Sequence, residues 1–210
     1  MLTISRQTLL RLPQYLNYLK TLPSGTEYIS ATSLAQALSL GDVQVRKDLA
    51  AVSDRGRPKV GYETSGLIYD IESFLGYDNA DSAVLVGAGN LGRALLSYEG
   101  FSTYGLDIVA GFDADRSKQG VTENGKRIFP LSRLGELCQR VKIKLGIIAV
   151  PAAAAQSVCD TMIAAGVLAI WNFAPVHLTV PEGILVHNEN MAVSLAVLSK
   201  HLADKLREGT

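Results

Sequence analysis

Val84-Leu85-Val86-Gly87-Ala88-Gly89-Asn90-Leu91-Gly92 constrains the fold of this chain more than any other stretch. A short apolar run of the kind that forms a buried parallel strand leads directly into G-x-G-x-x-G, and Arg93-Ala94-Leu95-Leu96 follows as the opening of a helix. Each glycine has a separate physical reason. The first permits a tight turn out of the strand, the second lets backbone approach a pyrophosphate, and the third lets the helix pack close to the sheet. The unpaired N–H groups at the helix start then face the anion. By itself the motif is weak, because a glycine-rich turn also serves as a plain strand-to-helix connection.

Its surroundings strengthen it. From Ser82 onward, apolar strands alternate with helices, the pattern of a parallel sheet covered on both faces. Strands are expected at Ala83–Val86, Ile108–Phe112, Leu145–Val150, Val167–Ile170 and Ile184–Val186, with a crossover helix over Ala152–Ala165. The second strand ends at Asp113, roughly twenty residues past Gly92, where a carboxylate accepts hydrogen bonds from an adenosine ribose. Its charge would repel a ribose phosphate, so NAD is favoured over NADP, although Arg116 is close by. Trp171-Asn172-Phe173-Ala174-Pro175 is read as a strand exit at the carboxyl edge, where open α/β sheets bind ligands. Met191, Leu195, Leu198, Leu202 and Leu206 then mark a long amphipathic helix with no later segment to cover it. It packs either on its own domain or, the favoured reading, in a second subunit as an exchanged helix.

The first eighty residues follow a different plan. A helix is expected over Ser5–Leu22 from Leu9, Leu12, Leu16 and Leu19, with Pro13 at its start or at a kink. A short helix through Leu38 comes next, capped by Ser30, Thr32 or Ser33, and Gly41-Asp42 supplies a turn and cap. A third helix over Val43–Val52 places Val45, Leu49 and Val52 on one stripe, with Lys47 opposite, flanked by Gln44 and Arg46. This is a helix-turn-helix layout, and Gln, Arg and Lys are the side chains that pair with base edges and phosphates. The loop Ser53–Tyr62, with Arg55, Arg57 and Lys59 against Asp54, reads as a wing. A solvated basic surface on a small helical domain explains the same residues equally well. Leu67, Ile71 and Leu75 mark one more helix, and a turn-rich segment places a domain boundary near residue 80.

The formal net charge is zero, so any DNA contact must come from a local patch rather than a whole-molecule field. No apolar run approaches the length of a membrane span and no secretory leader is visible, so a cytoplasmic location is expected. Cys138 and Cys159 have no ligand-like spacing to each other or to His177, His187 and His201, and are read as reduced core thiols.

Taken together, the residues resemble the Rex redox-sensing transcriptional repressors of bacteria. The resemblance spans nearly the whole chain. It is carried by Arg11-Leu12-Pro13 with Tyr15-Leu16, Val43-Gln44-Val45-Arg46-Lys47-Asp48-Leu49, Val60-Gly61-Tyr62, Gly87 through Leu95, Phe112-Asp113-Ala114-Asp115 and Asn172-Phe173-Ala174-Pro175. It implies an α/β protein with a winged-helix DNA-binding domain over 1–80, a Rossmann NAD(H)-binding domain over 81–188 and a swapped dimerisation helix over 189–210. The implied homodimer binds a palindromic operator and is released by NADH, so that it senses the NADH/NAD+ ratio. The DNA-contact positions that carry over are Gln44, Arg46 and Lys47 in the recognition helix, with Arg57 and Lys59 in the wing. The nucleotide positions are Gly87, Gly89, Asn90, Leu91, Gly92, Asp113, Val150, Pro151, Asn172 and Phe173, and Tyr98 matches a tyrosine that rearranges near the nicotinamide.

The chain departs from the family at Asn17, where Arg is usual, and at Asn190, where Asp is usual. Those two resemble an ion pair between subunits, so loss of both charges predicts weaker discrimination between NADH and NAD+. In the wing, Pro58-Lys59 replaces the family's basic and glycine residues. Two rival readings use fewer of the features. An NAD-dependent dehydrogenase with an N-terminal accessory domain needs a positioned acid/base and a substrate compartment, and neither is visible; His177 and His187 are read as surface or structural. A CoA-binding module explains the glycine loop but leaves the recognition helix and wing without a use.

Overall fold

The computed structural model describes residues 4–77 and 81–208. The chain divides into two compact units, Met1–Asn79 and Ala80–Thr210. The turn-rich linker expected near residue 80 falls partly on 78–80, outside the described residues.

In the first unit, α1 (Arg6–Thr21) is capped by Ser5, whose hydroxyl accepts the Thr8 N–H at 3.1 Å. Pro13 lies inside α1 rather than at its start. The buried stripe of Leu12, Tyr15, Leu16 and Leu19 carries the helix past it, each such side chain contributing about 1.5–3 kcal/mol on burial. Leu9, expected on that stripe, is 42% exposed, and Thr8 is buried instead. After β1 (Tyr28–Ile29), Ser30 caps α2 (Ala31–Ala37). Next, α3 (Asp42–Val52) starts one residue earlier than the expected Val43, with Gly41 as the cap. Asp42 is in the first turn, where its carboxylate accepts from Thr32 and Arg46. Antiparallel pairing of β2 (Tyr62–Glu63) with β1 closes the loop between α3 and β2, residues 53–61, into a wing, and α4 (Thr64–Leu75) ends at Gly76 in the left-handed conformation. Leu12, Leu16, Leu34, Val45, Leu49, Leu67 and Ile71 form the core of this unit.

The second unit is a seven-stranded sheet. Its elements in chain order are β3 (Asp81–Val86), α5 (Asn90–Ser97), β4 (Leu106–Asp113), β5 (Gly120–Val121), β6 (Arg127–Pro130), α6 (Leu134–Val141), β7 (Leu145–Ile148), α7 (Ala152–Ala164), β8 (Ala169–Asn172), β9 (Leu185–Asn188) and α8 (Met191–Glu208). Strand order is β5-β6-β4-β3-β7-β8-β9, parallel except for β5. The segment β5-β6-α6 has no counterpart in the sequence reading. Only Ile128 and Phe129 are apolar in β6, and parallel pairing of Gly111–Asp113 with Ile128–Pro130 is what makes it a strand. Strand β8 begins and ends two residues later than expected, so Trp171 and Asn172 belong to the sheet and not to its exit.

Alternation along β3 divides the core. Val84 and Val86 face α6 and α7 with Phe112, Cys138 and Cys159, while Ala83 and Leu85 face the α5 side with Leu96 and Ile147. Both cysteines are buried and unpaired, and burial pushes the Cys138 thiol up to about 11. On α8, Leu195, Leu198, Leu202 and Leu206 are all more than half exposed.

Candidate functional site

Strand order reverses between β3 and β7, and the crevice of an open α/β sheet opens at the carboxyl ends beside such a reversal. A cavity of about 470 Å3 lies there. Of the expected nucleotide positions it is lined by Gly87, Gly89, Asn90, Leu91, Asp113, Val150, Pro151 and Phe173. Gly87 has φ +103, and a Cβ there would sit 2.4 Å from the Ala149 carbonyl oxygen, so the turn needs glycine on both counts. Helix α5 begins at Asn90, directly on the loop and without a side-chain cap, and Asn90 and Leu91 of its first turn line the cavity, the place where a helix N-terminus receives an anion. Gly92 lies behind the loop, inside α5, where a Cβ would meet the Gly87 carbonyl oxygen at 1.8 Å. It sets the distance between helix and strand and does not line the cavity.

Asp113 is 8% exposed at the end of β4. One carboxylate oxygen accepts the Ala88 N–H at 2.7 Å and the other accepts the Asp115 N–H at 2.8 Å. The group is therefore fixed against the glycine loop, with lone pairs remaining for hydroxyl donors. Sequence reasoning missed two basic residues here. Lys118 lines the cavity with its ammonium 3.7 Å from both Asp113 and Asp115. Arg93 donates to the Ala88 and Lys118 carbonyls at 3.2 Å each, stapling the loop to the turn after β4. A lysine five residues after a strand gives no local signal of its role, because its position depends on the turn between.

Asn172 is completely buried beneath the crevice rather than in its lining. Its amide oxygen accepts the Ala174 N–H, and its amide nitrogen donates to the Ala174 and Val176 carbonyls and to Asn188. It shapes the turn that presents Phe173. Tyr98 is elsewhere, at the end of α5, 56% exposed and edge-on to Phe101. Asn190 caps α8, its side-chain oxygen accepting from the Ala192 and Val193 N–H groups.

In the first unit, α3 presents Gln44, Arg46 and Lys47 to solvent. Arg46 is held by Asp42 at 2.7 Å along the same helix. Gln44 donates to Asp48 at 2.9 Å. Asp48 is the residue that the sequence reading overlooked. It is 2% exposed and accepts from Thr8, Arg11, Tyr15 and Gln44, so one carboxylate joins α1 to the exposed face of α3. Burial alone would raise its pKa, but these donors, Arg11 foremost, hold it below the usual aspartate value. Burial together with the hydrogen bond to Asp48 pushes the Tyr15 phenol up to about 12. In the wing, Arg57 and Gly61 exchange backbone hydrogen bonds at 2.8 and 2.9 Å around an exposed Lys59 with φ +65. Arg46, Arg57 and Lys59 line one groove with Thr32 and Tyr62. At the base of the wing, Arg55 pairs with Asp70 of α4 at 3.0 Å.

A family model described as "CoA binding domain" matches residues 78–176, and one described as "Putative DNA-binding protein N-terminus" matches residues 3–50. Redox-sensing transcriptional repressor Rex of Porphyromonas gingivalis is 43% identical over 93% of this chain and 90% of its own length. The protein of the same name from Pelotomaculum thermopropionicum is 40% identical over 97% of this chain and 96% of its own. Among solved structures, RSP in complex with beta-NAD+ and operator DNA matches at 29% identity and TM-score 0.89, covering all of both chains. RSP in complex with beta-NADH matches at 28% identity and TM-score 0.87, over 100% of this chain and 99% of that one. A loop-and-crevice unit and a unit with a basic helix and wing thus stand in a chain that matches these repressors over nearly its whole length at 40–43% identity: the chain belongs to the Rex family of redox-sensing transcriptional repressors.

Proposed function

We propose that this chain represses transcription by binding palindromic operator DNA as a homodimer in the cytoplasm, and that NADH in the crevice at Gly87–Gly92 releases it. The observation that carries the reading is one chain holding both parts: a glycine loop over a cavity with Asp113 fixed at its edge, and a recognition helix beside a basic wing. The division of labour is 1–80 for DNA, 81–188 for nucleotide and 189–210 for dimerisation. Relatives with the same two parts were solved with NAD+ and operator DNA and with NADH.

The crevice residues suit a dinucleotide. The N–H groups at the start of α5 take the pyrophosphate, Asp113 accepts from the adenosine ribose hydroxyls, and Val150, Pro151 and Phe173 form an apolar wall at the far end. When bound, the nicotinamide supplies two redox forms that differ in charge and planarity, and these are what the wall can distinguish. In the DNA unit, Gln44, Arg46 and Lys47 enter the major groove while Arg57 and Lys59 reach the flanking backbone. Binding at the two places is linked. If NADH favours the dimer geometry that cannot span two successive groove faces, DNA affinity falls by the factor by which DNA weakens NADH.

A dehydrogenase is not favoured. Among the described residues, the cavity lining holds no histidine, and both His177 and His187 are exposed. Selection from a palindromic operator library, with and without NADH, tests the proposal. Specific half-sites should be enriched and then lost on adding NADH; absence of any specific enrichment refutes it.

A further inference from the structure

Four rings touch in sequence in the second unit. Centroid distances are 4.9 Å from Tyr98 to Phe101, 5.8 Å from Phe101 to Trp171 and 4.9 Å from Trp171 to Phe173. Phe173 lines the crevice. Trp171 is one strand position inside Asn172, so its ring lies on the opposite face from that buried amide and reaches across to β9. There its indole N–H donates to the Glu189 carboxylate at 3.1 Å. The same oxygen meets the His187 ring at 3.2 Å.

Glu189 is held from its other side as well. Its backbone N–H donates to the Asn172 carbonyl at 2.8 Å, which continues the β8–β9 ladder by one residue. The next residue is Asn190, whose side chain caps α8 through the Ala192 and Val193 N–H groups at 3.1 and 3.3 Å. A route of direct contacts therefore runs from a ring in the crevice wall, through an indole and a carboxylate, to the first turn of the terminal helix. The plain alternative is that Glu189 merely satisfies an indole N–H. That alternative leaves the first turn of α8 indifferent to the crevice, and so makes a different prediction.

We propose that Glu189 is a positioning residue that couples the Phe173 wall of the crevice to the first turn of α8, through Trp171 on one side and the Asn190 cap on the other. The proposal rests on reading the crevice as the NAD(H) site. A ring packed against Phe173 restricts Phe173 and, through the 4.9 Å contact, Trp171. The indole hydrogen bond passes that restriction to Glu189, and the backbone passes it to the cap. Coupling of this kind is reciprocal, so fixing the first turn of α8 should also favour the nucleotide. The route needs no charge at residue 17 or 190, and asparagine stands at both.

Trp171 is the chain's one tryptophan, so its emission reports this contact without ambiguity. In the nucleotide-free full chain, Glu189→Ala should shift the emission, and Glu189→Gln, which keeps an acceptor oxygen, should restore it. Hydrogen exchange is then followed at the Ala192 and Val193 amides, with NADH saturation fixed for each variant by calorimetry. NADH should slow these amides at least threefold in the native chain and in Glu189→Gln, and leave them unchanged in Glu189→Ala and in Trp171→Phe, which keeps a ring but loses the donor. Protection that persists in Glu189→Ala or Trp171→Phe overturns the proposal. So does a native chain that binds NADH with no change at either amide, or a Glu189→Gln chain with native emission and no protection. Failure of the native chain to bind NADH refutes the underlying reading and the proposal with it.

Discussion

Gly89 and Gly92 are near neighbours in the loop, yet a methyl group at each would meet different surroundings. At Gly92 it would lie 1.8 Å from the Gly87 carbonyl oxygen, a clash with backbone that only a shift of α5 against β3 relieves. At Gly89, with φ −74, nothing lies within 4 Å, and the open space faces the crevice. Gly92→Ala should therefore cost about 3 kcal/mol of stability by overpacking. Gly89→Ala should leave stability within about 0.5 kcal/mol and lower NADH affinity by roughly tenfold or more, about 1.4 kcal/mol. Urea unfolding beside NADH titration separates the two, and equal losses of stability would contradict the assignment. The motif's spacing made all three glycines legible as a set. Only the tertiary structure separates Gly89, which is open to the crevice, from Gly87 and Gly92, which the protein's own backbone crowds.

Among the elements, α3 carries the most information in the least obvious residue. Its outward face of Gln44, Arg46 and Lys47 follows from helical periodicity, because the apolar positions Val45 and Leu49 dictate what lies opposite. Asp48 follows from nothing local. An aspartate beside Lys47 reads as a surface charge, and its burial is decided by α1, which brings Thr8, Arg11 and Tyr15 against it. Because the donors lower its pKa in the folded state, its contribution is present above the ordinary aspartate range and is lost as pH falls through the depressed folded value. Asp48→Asn leaves Arg11 without its charge partner and should cost about 3 kcal/mol at neutral pH. Native and variant stabilities should converge on acidification below about pH 4, where the unfolded carboxylate protonates. Denaturant unfolding at neutral and acid pH measures the gap. A gap that stays constant with pH would place the effect elsewhere than in the carboxylate.

For the molecule as a whole, the long exposed helix is the feature that one chain does not resolve. Leu195, Leu198, Leu202 and Leu206 recur at spacings of three and four residues, and all stand more than half exposed on α8. A stripe of this kind on a helix of 18 residues needs a partner surface. Under the proposed dimer, Leu198→Glu together with Leu202→Glu should give a folded monomer by sedimentation velocity. Operator binding should fall steeply, because two half-sites one helical turn apart demand two linked recognition helices. A double variant that remains dimeric would remove α8 from the interface.

Periodicity and special backbone positions are local, and they were determined by the sequence alone. Apolar residues at helical spacing announce α1, α3 and α4, a short continuous apolar run announces β3, the glycines announce the turn after it, and the order of those elements already separates a helical first unit from an α/β second one. Strands β5 and β6, the late start of β8, the burial of Asp48 and Asn172, the place of Lys118 and the path from Phe173 to Asn190 were decided only by the tertiary structure. Each depends on which elements become neighbours in space. A short polar strand exists only beside its partner, and a buried carboxylate or amide is tolerable only where distant residues supply its hydrogen bonds.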